Sequence, residues 1–187
     1  MKRALLCSLI AGCVAGHAAE AAAGITLGAG GYLGVPVGEE YGDKLGTAPG
    51  LDLRLGYTLP IPLISVTPEL ASSWVTLPDA DEEESFPDHG IRTVAGGLRL
   101  GLPGIVAPAL FAHAGYGWED GELDDMILSR SGLSLDGGIA VELTLLPIVS
   151  FGAYVAYQAL RFDANRNDKE WVWESWLKLG LEVSASF

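Results

Sequence analysis

The chain has 187 residues, 49% hydrophobic and 19% charged, a balance too apolar for a disordered segment and a length suited to one domain. Eleven Lys and Arg against 24 Asp and Glu give a formal charge of −13, which excludes nucleic acid as a partner, because phosphate contacts need clustered cations. The 25 glycines follow neither a collagen period nor Ser or Gln tracts, so they serve local geometry.

Met1-Lys2-Arg3 is a positive n-region, Ala4 to Gly16 is an apolar h-region, and small residues follow through Ala21-Ala22-Ala23. Residues 1–23 therefore read as a cleaved secretory signal peptide, with the mature start between Ala19 and Gly24, and 24–187 as the mature domain. A competing reading takes Ile10-Ala11-Gly12-Cys13 as a lipobox in which Cys13 is lipidated. Cys7 and Cys13 are the only cysteines, so the mature chain is expected to carry no disulfide and no thiol chemistry.

After Gly24, Gly, Pro and polar residues interrupt every apolar run before it reaches the length of a membrane helix, and period-2 alternation takes over. It predicts strands at Ile25–Val35, Leu51–Leu59, Leu63–Val75, Ile91–Gly101, Val106–Trp118, Leu133–Leu145, Ile148–Leu160 and Trp171–Phe187. The connections alternate too. Those at Pro60–Pro62, Leu102–Gly104 and Leu146–Pro147 are tight, whereas Pro36–Gly50, Thr76–Gly90, Glu119–Gly132 and Arg161–Glu170 are long and polar. Short turns on one side and long loops on the other describe an all-β, eight-stranded, antiparallel up-and-down transmembrane β-barrel.

Charge separates the two faces. Arg54, Arg99 and Lys178, with Asp52, Glu69, Asp136, Glu142, Glu174 and Glu182, all fall in one phase of their strands, and the opposite phase carries no charge in mid-strand. The charged phase is also rich in glycine, as expected of a narrow, filled, polar lumen, and the leucine-rich phase is expected to face hydrocarbon. An isolated charge in such a lumen costs several kcal/mol, so each of the three cations is expected to meet at least one of the six acids, with Arg54 bridging Asp52 and Glu69. Trp74, Tyr116, Trp118, Tyr157, Trp171 and Trp173 share the apolar phase at loop-side strand ends and read as an interfacial girdle, with a sparser one at Tyr57, Phe151 and Phe187. Pro68 and Pro108 have no N–H to give, and a bulge or missing ladder bond is expected at Pro68.

The leader, the eight alternating segments and a terminal strand with Leu177, Leu179, Leu181, Val183, Ala185 and Phe187 in one phase resemble the small outer-membrane barrels of the OmpA, OmpX and OmpW type. The resemblance implies location in the outer membrane of a Gram-negative bacterium, with membrane lipid as surroundings. It also implies a terminal Phe187 read by the barrel-assembly machinery. The superfamily's activities differ, and the extracellular partner stays open.

Enzymatic chemistry finds little support. His17 leaves with the leader, no Ser lies two residues from His113, and Ser85, Asp88 and His89 share only a loop. The acidic runs Asp79–Glu84 and Glu119–Asp125 lack EF-hand spacing, so no metal or cofactor is expected. The expectation is a non-enzymatic barrel with a structural or surface-interaction role. The alternatives are a small-solute transport module and, less favoured, a lipid A-modifying enzyme. Conductance discriminates between them: the filled lumen predicts little steady current, with Arg54 or Lys178 replaced by Ala expected to increase it, whereas the transport alternative predicts a steady pore.

Overall fold

Alternation of small or polar residues with leucine and valine gives each segment one face for a crowded interior and one for a surrounding apolar medium. The computed structural model describes residues 24–37, 46–59, 61–76, 90–123, 126–146, 148–162 and 172–187. They form β1 (Gly24–Pro36), β2 (Ala48–Thr58), β3 (Ser65–Thr76), β4 (Gly90–Gly101), β5 (Val106–Leu123), β6 (Met126–Leu146), β7 (Val149–Phe162) and β8 (Val172–Ser186). Each strand pairs antiparallel with its chain neighbours, and β1 closes on β8 through register pairs from Thr26↔Ser186 to Pro36↔Trp176. Closure leaves no sheet edge, the condition for a sheet to survive in hydrocarbon. Ile25 N donates to Phe187 O at 3.0 Å and Phe187 N to Ile25 O at 2.9 Å, so both ends of the described chain meet on the short-turn side.

The sequence expectations differ from this architecture in two places. The segment 119–132, expected as a long loop, is mostly strand: β5 and β6 stay paired out to Leu123↔Met126. Acidic residues on both faces hid it, because a hairpin standing beyond the membrane needs no apolar face. Leu63, expected to start the third strand, lies in the turn before it with a φ of 71° and is 81% exposed. The last strand is described from Val172 on, and Trp171, expected as its first residue, lies outside the described residues, as do the leader with Cys13, the run Asp79–Glu84, and Ser85, Asp88 and His89.

Pro68 interrupts a ladder on one side only. The β2–β3 register stops at Gly56↔Glu69 and resumes in phase at the bridge Leu59↔Val66, while β3 and β4 pair straight through Pro68↔Leu98. The missing donor thus faces β2, and no residue is inserted. Pro108 accepts from Leu102 N at 3.0 Å. In an antiparallel ladder a residue's N–H and C=O point the same way, so its missing donor faces the end of β4.

The outward face carries Leu51, Leu53, Leu55, Leu133, Leu135, Ile139, Val141, Leu143, Leu179 and Leu181 at 39% to 71% exposure. An apolar belt of that extent on a soluble protein would drive aggregation, and on a barrel it is the lipid face.

Candidate functional site

The interior is where the chemistry-bearing side chains converge. It is filled in successive tiers from the turn side to the loop side. At the turn side, hydroxyls link across strands: Thr26 Oγ1 lies 3.2 Å from Thr58 Oγ1 and 3.3 Å from Ser186 Oγ, and Thr58 Oγ1 lies 3.0 Å from Thr67 Oγ1.

Above them two guanidiniums face three carboxylates. Arg54 reaches Glu142 Oε1 from Nη2 at 3.1 Å, Glu182 Oε2 from Nε at 3.3 Å and Glu69 Oε2 from Nη1 at 3.5 Å. Arg99 reaches the same carboxylates, with Nη1 at 2.8 Å from Glu142 Oε1 and 3.2 Å from Glu182 Oε1, and Nε at 3.5 Å from Glu69 Oε1. The Arg99 guanidinium also lies over the Phe111 ring, 5.1 Å from its centroid. Gly28 makes the room: a Cβ there would lie 2.4 Å from Arg54 Nε and 2.6 Å from its Cγ.

The network continues upward through His113, whose Nε2 is 2.8 Å from Glu69 Oε1 and whose Nδ1 is 3.0 Å from Asp136 Oδ1. Carboxylates only accept, so an imidazolium donating from both nitrogens satisfies the arrangement. Lys178 Nζ, on a residue 2% exposed, then links Asp136 Oδ2 at 3.4 Å, Asp52 Oδ1 at 3.3 Å and Ser73 Oγ at 3.1 Å, beneath the face of Tyr32. The Tyr154 hydroxyl donates to Asp52. A cavity of about 50 Å³ lies among Arg54, Arg99, His113, Asp136, Tyr154 and Lys178. Its volume has room for water beside those charged and hydroxyl groups.

On the loop side the lining changes character. Gln158 Nε2 donates to Ser134 Oγ at 3.3 Å and Thr93 Oγ1 at 3.4 Å, and Gln158 Oε1 accepts from Trp176 Nε1 at 3.0 Å. Beyond them Val75, Ile91, Leu160 and Phe162 are buried together at no more than 5% exposure, an apolar septum across a polar lumen. Arg130 sits over Phe162, 5.0 Å from the ring centroid, and pairs with Glu119 and Glu174.

Eight of the nine charges expected in the lumen, all but Glu174, thus join one connected network. Asp52 turns to Lys178 and Tyr154 rather than to Arg54, which departs from the expected bridge, because Arg54 has three nearer carboxylates. Glu174 pairs with Arg130, a residue assigned to a loop in the sequence reading and found on β6. With His113 as a fourth cation, Arg54, Arg99 and Lys178 face Asp52, Glu69, Asp136, Glu142 and Glu182, so the excess is one negative charge rather than three.

Sequence reasoning missed Trp176 and the septum. The signal was available: Trp176 stands in phase with Glu174 and Lys178, and Val75 with Ser73, so phase alone places them inside. Trp74, Tyr116, Trp118, Tyr157 and Trp173 lie on the outward face at 38% to 53% exposure, as do Tyr57, Phe151 and Phe187 at 48% to 69%.

No protein-family model matches the chain, and no curated protein matches it. Solved structures do share its fold. Neisserial surface protein A is 12% identical with a TM-score of 0.59, over 87% of this chain and 97% of that one. The attachment invasion locus protein of Yersinia pestis is 19% identical with a TM-score of 0.53, over 88% and 97%. The same protein in complex with the heparin analogue sucrose octasulfate matches with a TM-score of 0.51 at 17% identity, again over 88% and 97%. The chain has the eight-stranded fold of the small outer-membrane barrels, with the continuous lipid-facing belt of a membrane-spanning barrel.

Proposed function

We propose that the protein is a non-conducting barrel with a structural or surface-interaction role, performed at the cell surface by the segments that join its strands on the loop side. The carrying observation is the interior, where an ion-paired network and an apolar septum both cross the axis. A pore needs a continuous wet path, and the septum of Val75, Ile91, Leu160 and Phe162, with the ion-paired Glu119, Arg130 and Glu174 at the same level, leaves little room for one. A catalytic reading has less support, since His113 spends both ring nitrogens on carboxylates. The likeness to surface proteins of Neisseria and Yersinia is one of fold, but it is consistent with this role. The partner's charge can be narrowed: Asp79-Ala80-Asp81-Glu82-Glu83-Glu84 disfavours a polyanion of the heparin type and favours a cationic or neutral surface.

The test replaces residues 77–89 and 38–45 by short Gly-Ser connections and measures adhesion of cells displaying each form. Loss of adhesion with the barrel still folded is expected. Adhesion unchanged by both replacements, or solute uptake that depends on the protein, overturns the proposal.

A further inference from the structure

We propose that the turn-side rim of the barrel is seated in the inner leaflet, its outward leucines and isoleucines against phospholipid acyl chains, with no turn emerging into water. At the three turns that join β2 to β3, β4 to β5 and β6 to β7, Ile61, Ile64, Leu102, Ile105, Leu145 and Leu146 are 40% to 68% exposed. Neither a charge nor a tryptophan falls between Arg54 and Glu69, between Arg99 and His113, or between Glu142 and Arg161. The loop-side segments 37–47, 77–89 and 163–171, by contrast, all carry charge. A chain that solvates one end of its hairpins and leaves the other uncharged meets a different medium at each end.

The turn backbone fits an apolar medium. Hydrocarbon offers no hydrogen bonds, so N–H and C=O groups there must be paired within the protein or be absent. Each turn sequence carries a Leu-Pro step, at 59–60, 102–103 and 146–147, and proline has no N–H to leave unpaired. Ile61 N donates to Leu59 O at 2.9 Å and Leu102 N to Pro108 O at 3.0 Å. The carbonyls of Ile105 and Ile148 accept from Thr144 N and Ser186 N on the neighbouring strands, both at 2.9 Å.

Shape and depth favour lipid over a protein cap. The turns fall at every second junction of a closed eight-stranded barrel, and Ile25 is exposed in the remaining quarter, where β8 meets β1, so the apolar surface is a ring. It encloses a centre lined by the hydroxyls of Thr26, Thr58, Thr67 and Ser186, which an apolar cap would leave unmatched. A medium that surrounds the barrel touches only the ring, and the ring continues the lipid belt through Leu55, Leu100 and Leu143. Tyr116 to Val106 on β5 covers ten residues, about 25 Å of height at ~3.3 Å per residue and a tilt of roughly 40°. With the aromatic girdle at the outer interface, a hydrocarbon core of ~30 Å therefore takes in Ile105 and Leu102 as well. The described turns then present no surface to the periplasm, and contacts with other macromolecules are left to the loop side.

The test refolds the full chain, with Cys7→Ser and Cys13→Ser, into vesicles of phosphatidylethanolamine and phosphatidylglycerol. Ile61→Cys, Ile105→Cys or Leu146→Cys is added one at a time and carries a nitroxide spin label. Relaxation by oxygen, which concentrates among acyl chains, is compared with relaxation by a neutral, water-soluble nickel chelate. Leu98→Cys marks the belt and Asp81→Cys the loop-side water. The ratio of oxygen to chelate access at all three turns should exceed that at Asp81→Cys by at least about fivefold and approach that at Leu98→Cys. A smaller excess overturns the proposal and leaves the rim free for a periplasmic protein. Should a labelled variant fail to fold, hydroxyl-radical footprinting of wild type in the same vesicles decides. Oxidation at 102–105 and 145–148 no greater than at Leu98 is expected, and greater oxidation overturns the proposal. Neither readout involves adhesion, so this proposal and the surface-interaction role fail separately.

Discussion

Replacing Arg99 with Met removes one of two guanidiniums that hold Glu69, Glu142 and Glu182 together. Arg99 donates from Nη1 to Glu182 Oε1 at 3.2 Å and from Nη2 to Oε2 at 3.4 Å, and Nη1 also serves Glu142 at 2.8 Å. The side chain is 9% exposed and those of Glu69 and Glu182 are 1% and 6% exposed, so water can replace little of what is lost. Breaking such a buried pair costs about 3–5 kcal/mol, mostly from the carboxylates left behind, and methionine fills the vacated volume and keeps a cavity cost out of the comparison. With a urea slope of about 2 kcal/mol/M, the unfolding midpoint should fall by roughly 1.5–2.5 M, read by tryptophan fluorescence and by SDS mobility. The combination with Glu182→Gln separates charge from packing. It removes the carboxylate that Arg99 grips with both nitrogens and should recover about 1–2 kcal/mol. An Arg99→Met protein within about 0.5 kcal/mol of wild type, or a double variant less stable than the single, would show that these buried charges do not hold the interior together.

Gly180→Ala should cost about 1–3 kcal/mol in the same denaturation assay, because its Cβ would lie 2.3 Å from Tyr154 Cζ and push the hydroxyl off Asp52. Leu63→Gly should stabilise by about 1 kcal/mol, since φ of 71° is strained for leucine, and a lower midpoint would show that the turn relies on the side chain. Pro68→Ala should supply the donor missing toward β2 and slow amide exchange at the neighbouring pairs, whereas faster exchange would place the interruption elsewhere. Arg54→Ala alone should not open a steady pore, because the septum at Ile91, Leu160 and Phe162 remains above it, and adding Leu160→Ala with Phe162→Ala should produce brief openings in current recordings.

The mid-membrane part of the fold was legible because two solvents, lipid outside and a crowded polar lumen inside, impose opposite demands on alternate residues. Leu51 and Leu53 against Asp52 and Arg54 is that demand in four residues. Legibility faded where the demand lapsed. At 119–132 both faces of the hairpin carry polar residues and alternation carries no contrast, so Glu119 and Arg130 read as loop although they pair inside. The septum was overlooked for the converse reason: Leu160 and Phe162 are apolar at inward positions, and only their phase with Gln158, not their apolarity, reports the side. Which acid meets which cation was not legible either. Arg54 and Asp52 share a face two residues apart, yet their partners are set by barrel closure, which brings Glu142 and Glu182 from β6 and β8 to Arg54 and leaves Asp52 to Lys178.

On the proposed function, this barrel crosses the membrane without opening it. Recording current across a planar lipid bilayer containing purified, folded wild-type protein tests that most directly. With the Arg54 and Arg99 network and the Leu160 and Phe162 septum both in place, no steady conductance above the bare bilayer is expected. A wide, steady, weakly selective pore would contradict the sealed interior and favour a transport role.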